Sequence, residues 1–112
     1  MRLWVDDERP APDDSWRVCK TSKEAADFLL DHVIRRGQWL EEVSLDHDLG
    51  GDDTGMKVLN WMINEDVWPE TLTIHTSNPP ARKQMLAAAN AEAPMWVGIY
   101  VIYDHLDKDS RG

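Results

Sequence analysis

The chain has 112 residues, 42% of them hydrophobic and 29% charged, with six glycines and six prolines, an ordinary globular composition that excludes collagen-like, low-complexity and mostly disordered classes. Its 21 acidic residues against 12 basic ones give a net charge of −9, a field that repels DNA, RNA and anionic membrane surfaces and suits a cation. Cys19 is the single cysteine, which excludes an intramolecular disulfide and a cysteine-rich zinc site.

The length fits one domain over residues 1–112. The start, Met1 to Asp7, turns acidic too early for a signal peptide. No apolar run approaches the ~18 residues of a membrane helix, so a cytoplasmic location is expected.

Leu3-Trp4-Val5 is a short apolar run stopped by Asp6-Asp7-Glu8-Arg9 and then by Pro10 and Pro12, a buried strand followed by a loop. Trp16 to Lys20 alternates apolar and polar, as a half-covered edge strand does. Thr21 and Glu24 have capping-box spacing and open a helix to Arg36, with Ala25, Leu29 and Val33 as its apolar stripe. Val43-Ser44-Leu45 is a third strand, running into Asp46-His47-Asp48-Leu49-Gly50-Gly51-Asp52-Asp53. A second helix carries Met56, Leu59, Met62 and Ile63 on one side. Leu72-Thr73-Ile74 is the fourth strand and leads to His75-Thr76-Ser77-Asn78-Pro79-Pro80, where Asn78 caps and Pro79 begins a helix to about Asn90. Met95 to Tyr103 is the last β-rich run, and residues 104–112 read as a flexible, solvated tail. Trp4, Trp61 and Trp96 read as core, with Trp39 and Trp68 as lids at element ends.

The order β-β-α-β-α-β-α-β predicts a small doubly wound α/β domain, a parallel sheet with helices on both faces. In such sheets ligands bind at the carboxyl ends of the strands. Asp6, Asp7, Glu8 and Arg9 follow the first strand, Asp46, His47 and Asp48 the third, and His75, Thr76, Ser77 and Asn78 the fourth. If those strands are neighbours, the three groups share one rim. Carboxylates so gathered repel unless a proton or cation intervenes, and they suit Mg²⁺ or Mn²⁺, with imidazole admitting Zn²⁺. Each group also has a plainer reading. Asp6-Asp7-Glu8 by itself is a solvated loop, and His75 is equally a histidine hydrogen-bonded in the core. Asn78 serves as a helix cap in any case. Asp52 and Asp53 read as a flexible loop without a ligand, and Gly50, Gly51 and Gly55 as turn residues.

Asp6-Asp7, Asp46 and Thr76 or Ser77 resemble the acidic pair, phosphoacceptor and hydroxyl of response-regulator receiver domains. Two features depart from that pattern: Tyr100 to Asp104 offers no lysine, and too few residues follow for a closing helix. The chain is more similar to the cyclic-phosphate-processing receiver-like family of small bacterial and phage proteins. The matching blocks are Leu3 to Pro10, Ser44 to Gly50, Thr54-Gly55 and Ile74 to Pro79.

This resemblance implies a flavodoxin-like or receiver-like five-stranded parallel sheet in the order 2-1-3-4-5, with the first and last helices shortened or missing. It implies a metal-dependent phosphoesterase acting on a cyclic or terminal phosphate of a nucleotide-like ligand, in the host cytoplasm if phage-encoded. Asp6, Asp7, Asp46 and Asp48 are the expected metal ligands. His47, His75 and Asp46 are the expected catalytic groups. Arg9, Thr76, Ser77 and Asn78 are the expected phosphate contacts, beside the N-terminus of a helix, and Arg82 is a further source of positive charge. The alternatives are a stand-alone receiver phosphorylated on Asp46 and a non-catalytic module that binds a nucleotide or a host protein.

Overall fold

A computed structural model describes residues 1–102 of the chain. The strands are β1 (Arg2–Val5), β2 (Trp16–Cys19), β3 (Glu42–Leu45), β4 (Thr71–Ile74) and β5 (Gly98–Val101). All pairings are parallel, and the sheet order is β2-β1-β3-β4-β5, as the family resemblance implies. Leu3, Val5, Val43, Leu45, Leu72 and Ile74 are fully buried. Their two-residue spacing sends them all to one side of the sheet, and that side faces the helices.

The first helix, α1 (Ser22–Leu29), starts as its capping residues predict. Thr21 Oγ1 accepts the Glu24 amide at 3.0 Å, while Glu24 Oε1 accepts the Lys20 amide at 3.0 Å, one residue earlier than a strict capping box. The helix does not stay α-helical to Arg36: Leu30–Arg35 is π-helical, and the Arg36 amide reaches the Asp31 carbonyl at 3.0 Å. Gly37, at φ 62°, ends it. The second helix, α2 (Gly55–Glu65), buries Val58, Leu59 and Met62. The third, α3 (Pro79–Glu92), is capped by Asn78, whose Oδ1 accepts the Ala81 amide at 3.1 Å, and buries Ala81, Met85 and Ala89.

Helices on both faces were the expectation from alternation, and the described residues correct it. The crossovers β2-α1-β3, β3-α2-β4 and β4-α3-β5 all advance the same way across the sheet. Right-handed crossovers in one direction place their helices on one face, and α1 indeed packs on α2 and α2 on α3. The helix that would cover the other face between β1 and β2 is replaced by the loop Asp6 to Ser15.

Two local expectations also change. The final strand is shorter than Met95 to Tyr103, because the Val97 amide turns back to the Pro94 carbonyl at 3.1 Å and leaves Met95 and Trp96 outside the ladder. Trp96 is therefore 57% exposed and not core, lying beside the 60% exposed Trp39. Trp68 is buried in the core, Trp4 is buried and Trp61 packs against the core's edge. Tyr103, the expected tail 104–112 and the place of any closing helix lie outside the described residues. Among the described residues no helix is long and apolar enough to cross a membrane.

Candidate metal centre

The site follows from strand parity. Trp4, Ser44 and Thr73 are aligned across β1, β3 and β4 and alternate with the helix-facing core residues, so they point to the opposite face. Two residues further along each strand stand Asp6, Asp46 and His75, on that same face. The ladder runs on far enough to hold them in line: the Asp6 amide donates to Cys19 at 3.1 Å, Asp46 to Val5 at 2.9 Å and His75 to Leu45 at 3.0 Å. A ligand atom from each of the three side chains lies within 4.8 Å of the others. Asp6 is 1% exposed, Asp46 8% and His75 1%.

Every group in this trio is held. Asp6 Oδ1 accepts the amides of Glu8 at 2.8 Å and Arg9 at 3.0 Å, and Oδ2 faces His75 Nε2 at 3.0 Å. His75 Nδ1 meets Ser44 Oγ at 2.7 Å, and the imidazole stacks on the Trp4 indole at 3.9 Å and 7°. His75 is a hydrogen-bonded interior histidine whose Nε2 faces the Asp6 carboxylate.

The two carboxyls are driven apart. Burial pushes Asp6 upward, but the hydrogen bonds from His75, Glu8 and Arg9 outweigh it and hold the carboxyl below the ordinary value. Asp46 moves the other way: burial raises it, the Asp6 charge raises it further, and the His47 amide at 2.8 Å, His75 and Arg9 offset only part. Asp46 is the member whose charge is least compensated. Two carboxylate oxygens and one imidazole nitrogen form a donor set that fits Mn²⁺ or Zn²⁺, and Mg²⁺ through its oxygens.

The cationic side chains lie at the loop after β4. Arg9 donates to the His75 carbonyl at 2.9 Å and approaches Ser77 Oγ at 3.5 Å, and Arg82 donates to the Thr76 carbonyl at 3.1 Å. Thr76 is buried, its Oγ1 accepting the Asn78 amide at 3.2 Å. The nearby helix end differs from the cradle expected there. Pro79 and Pro80 have no N–H, the Ala81 amide is taken by Asn78 Oδ1, and the Arg82 amide by the Asn78 carbonyl. An anion here would meet side chains instead of the helix's first amides.

The structure does not bring every expected ligand together. Asp48 is 76% exposed and pairs with His47 Nδ1 at 3.2 Å, where a short bridge to Thr54 turns it away from the buried trio. Asp7 is half-buried and faces Gly50, where a β-carbon would come within 3.2 Å of its Oδ2. The His47 side chain, partly exposed, goes with Asp48, and its amide donates to Asp46 Oδ1 at 2.8 Å.

Several residues that support the site were not singled out by the sequence. Strand alternation places Ser44 and Trp4 on the site's face, a signal that a continuous apolar run obscures. Gly55 is more than a turn residue: its amide donates to the His47 carbonyl at 2.7 Å, and a β-carbon there would overlap the Asp46 carbonyl oxygen. Asp53, expected in a flexible loop, accepts the Ser22 amide at 2.7 Å and the Ser22 hydroxyl at 2.5 Å, tying the loop after β3 to α1.

No curated protein and no solved structure matches the chain. The family model of the cyclic-phosphate processing receiver domain matches residues 1–91. That match takes in β1 through most of α3, and with it Asp6, Asp46 and His75. The chain belongs to the cyclic-phosphate processing receiver domain family.

Proposed function

We propose that the Asp6–Asp46–His75 cluster holds a divalent cation, Mg²⁺ or Mn²⁺ or else Zn²⁺, and that the rim around it binds and hydrolyses a cyclic phosphate on a nucleotide-like ligand. The observation that carries this reading is the buried convergence of two carboxyls and an imidazole within 4.8 Å. The Asp46 charge is left undercompensated there. Bound there, a divalent ion supplies charge neutralisation and Lewis acidity toward a phosphoryl oxygen.

The chain's own groups divide the remaining work. A net charge of −9 repels a phosphate, so Arg9 and Arg82, with the Ser77 hydroxyl, supply the local attraction and orientation. Thr76, buried with its hydroxyl engaged by Asn78, shapes the loop that presents them. His75 is enclosed by Asp6, Ser44 and Trp4, so it serves as a ligand and not as a group exchanging protons with water. To His47, partly exposed and next to Asp46 in the chain, this reading assigns the proton given to the leaving oxygen. Water then adds across one P–O ester bond of the ring and leaves a phosphomonoester.

The test is ³¹P NMR of the protein with 2′,3′- and 3′,5′-cyclic nucleotides, in Mg²⁺, Mn²⁺, Zn²⁺ or EDTA. The expected result is phosphomonoester peaks that require metal, disappear in Asp46→Asn, and form about 100-fold more slowly in His47→Ala. Saturable binding without turnover would replace hydrolysis by a binding role. A mass gain on Asp46 after acetyl phosphate and Mg²⁺, with the panel silent, would make the protein a phosphorylated receiver.

A further inference from the structure

The amino ends of the strands, opposite the trio, carry a surface that the proposed chemistry does not use. Trp39 lies shortly before β3, Glu70 immediately before β4 and Trp96 shortly before β5. Because β3, β4 and β5 are parallel neighbours, these three residues meet at one end of the sheet. The two indoles lie 27° from parallel with their centroids 6.4 Å apart, and both are exposed, as is Met95 next to Trp96 in the chain. Contiguous exposed apolar surface of this kind marks an interaction site.

Trp39 is fixed before any partner arrives. Its Nε1 donates to Glu70 Oε2 at 2.8 Å, and its carbonyl accepts from His32 Nε2 at 3.0 Å. His32 belongs to the π-helical turn, a rare element that recurs at functional sites. Trp96 stands in the turn that the Val97 amide closes on the Pro94 carbonyl. A ring already held in place loses little freedom on binding.

Charge selects the partner. Glu41, two residues after Trp39, is paired with the N-terminal amine and with Arg2. Glu70 is exposed, and among the described residues its one partner is the Trp39 indole. Indole faces attract cations, and the Glu70 carboxylate at the indole edge adds a full negative charge. The chain's net charge of −9 disfavours nucleic acid and anionic membranes as stacking partners. A planar guanidinium suits both features, since it stacks on a ring while its N–H fork reaches a carboxylate; the compact ammonium of lysine does not combine the two.

We propose that Trp39, Trp96 and Glu70 form a docking site for an arginine presented by another protein, its guanidinium lying against the indoles and donating to Glu70. The site is at the far end of the sheet from Asp6, Asp46 and His75, and the inference stands apart from the metal reading.

The probes are the tripeptide acetyl-Gly-Arg-Gly-amide and its citrulline counterpart, which keeps the shape and removes the charge. Each is titrated into the whole chain and followed by the indole N–H signals in ¹H–¹⁵N NMR. The arginine peptide should shift the Trp39 and Trp96 signals saturably, and the citrulline peptide should bind about tenfold more weakly. Trp39→Leu, read at the Trp96 signal, and Glu70→Gln should each weaken the arginine peptide about tenfold. If Trp39→Leu does not fold, Trp96→Leu, read at the Trp39 signal, takes its place with the same expectation. Trp39→Leu leaves the net charge unchanged, so undiminished binding there would reduce the effect to attraction by an acidic chain and overturn the proposal. Equal binding of the citrulline peptide would overturn it as well. If concentrating the protein alone shifts both indole signals, with a dimer in sedimentation that Trp39→Leu abolishes, the surface belongs to a second copy of the chain and the proposal falls.

Discussion

Replacing Asp46 by asparagine tests whether the trio is strained by its own charge. Asp6 and Asp46 oxygens lie within 4.8 Å of each other, which at an effective dielectric of 20 corresponds to about 3.5 kcal/mol of repulsion. His75, Arg9 and the His47 amide return part of it, leaving roughly 1–2 kcal/mol unrelieved in the metal-free protein. Asparagine keeps an oxygen for the His47 amide, so Asp46→Asn should be more stable than wild type by that amount in EDTA at pH 7. In thermal unfolding followed by circular dichroism, this is a rise of about 4–8 °C.

The sign with pH is fixed by the direction of the shift. Asp46 is raised, so its ionisation opposes folding at pH above its folded value. That opposition fades as pH falls toward the unfolded value near 3.9, and the variant's advantage should shrink over the same range. Mn²⁺ should reverse the order. At 100 times its Kd it stabilises wild type by about 2.7 kcal/mol and the variant hardly at all. A variant that melts below wild type in EDTA, or an advantage that persists at pH 4, would refute the account of Asp46.

Asp6 has the opposite shift: its contribution is present above the unfolded value and is lost as pH falls through the lower folded one. Asp6→Asn should cost about 2 kcal/mol at pH 7 in urea unfolding, with the deficit closing in strong acid. Gly55→Ala should cost about 3 kcal/mol and lower Mn²⁺ affinity, because the new carbon collides with backbone that carries Asp46; a wild-type melting temperature would refute the close approach. Burial pushes the Cys19 thiol up to about 11. Iodoacetamide at pH 8 should leave it unmodified in the native protein and alkylate it in urea, as mass spectrometry would show.

The elements were legible wherever local chemistry decides them. Thr21 and Asn78 cap the helices they were expected to open, and the three rim groups follow the three strands expected to carry them. What escaped depends on the third dimension. Alternation of strands and helices implies helices on two faces only if crossovers run in two directions, and here the single reversal, from β1 to β2, is made by a loop. Trp96 and Met95 look like strand because their neighbours are apolar, but the Pro94 turn lifts them out. Gly55 reads as a turn glycine in any sequence, since its reason is a carbonyl nine residues away in the chain. Asp48 has the right parity to join Asp46, and only the bridge to Thr54 turns it outward.

The loop in place of the first helix explains how so polar a cluster stays closed on a face without helices among the described residues. Arg9 does most of this with its backbone. Its amide binds Asp6 at 3.0 Å and its carbonyl accepts the Trp4 indole N–H at 3.0 Å, pinning the aromatic plate on which His75 stacks. Its guanidinium crosses to the His75 carbonyl at 2.9 Å and reaches Ser77. Pro10 and Pro12 then restrict the backbone beyond it. A helix at this position would spend its amides and carbonyls on itself. An irregular loop leaves them for the site, so the segment that removes a helix from the fold also roofs the two carboxyls and the imidazole.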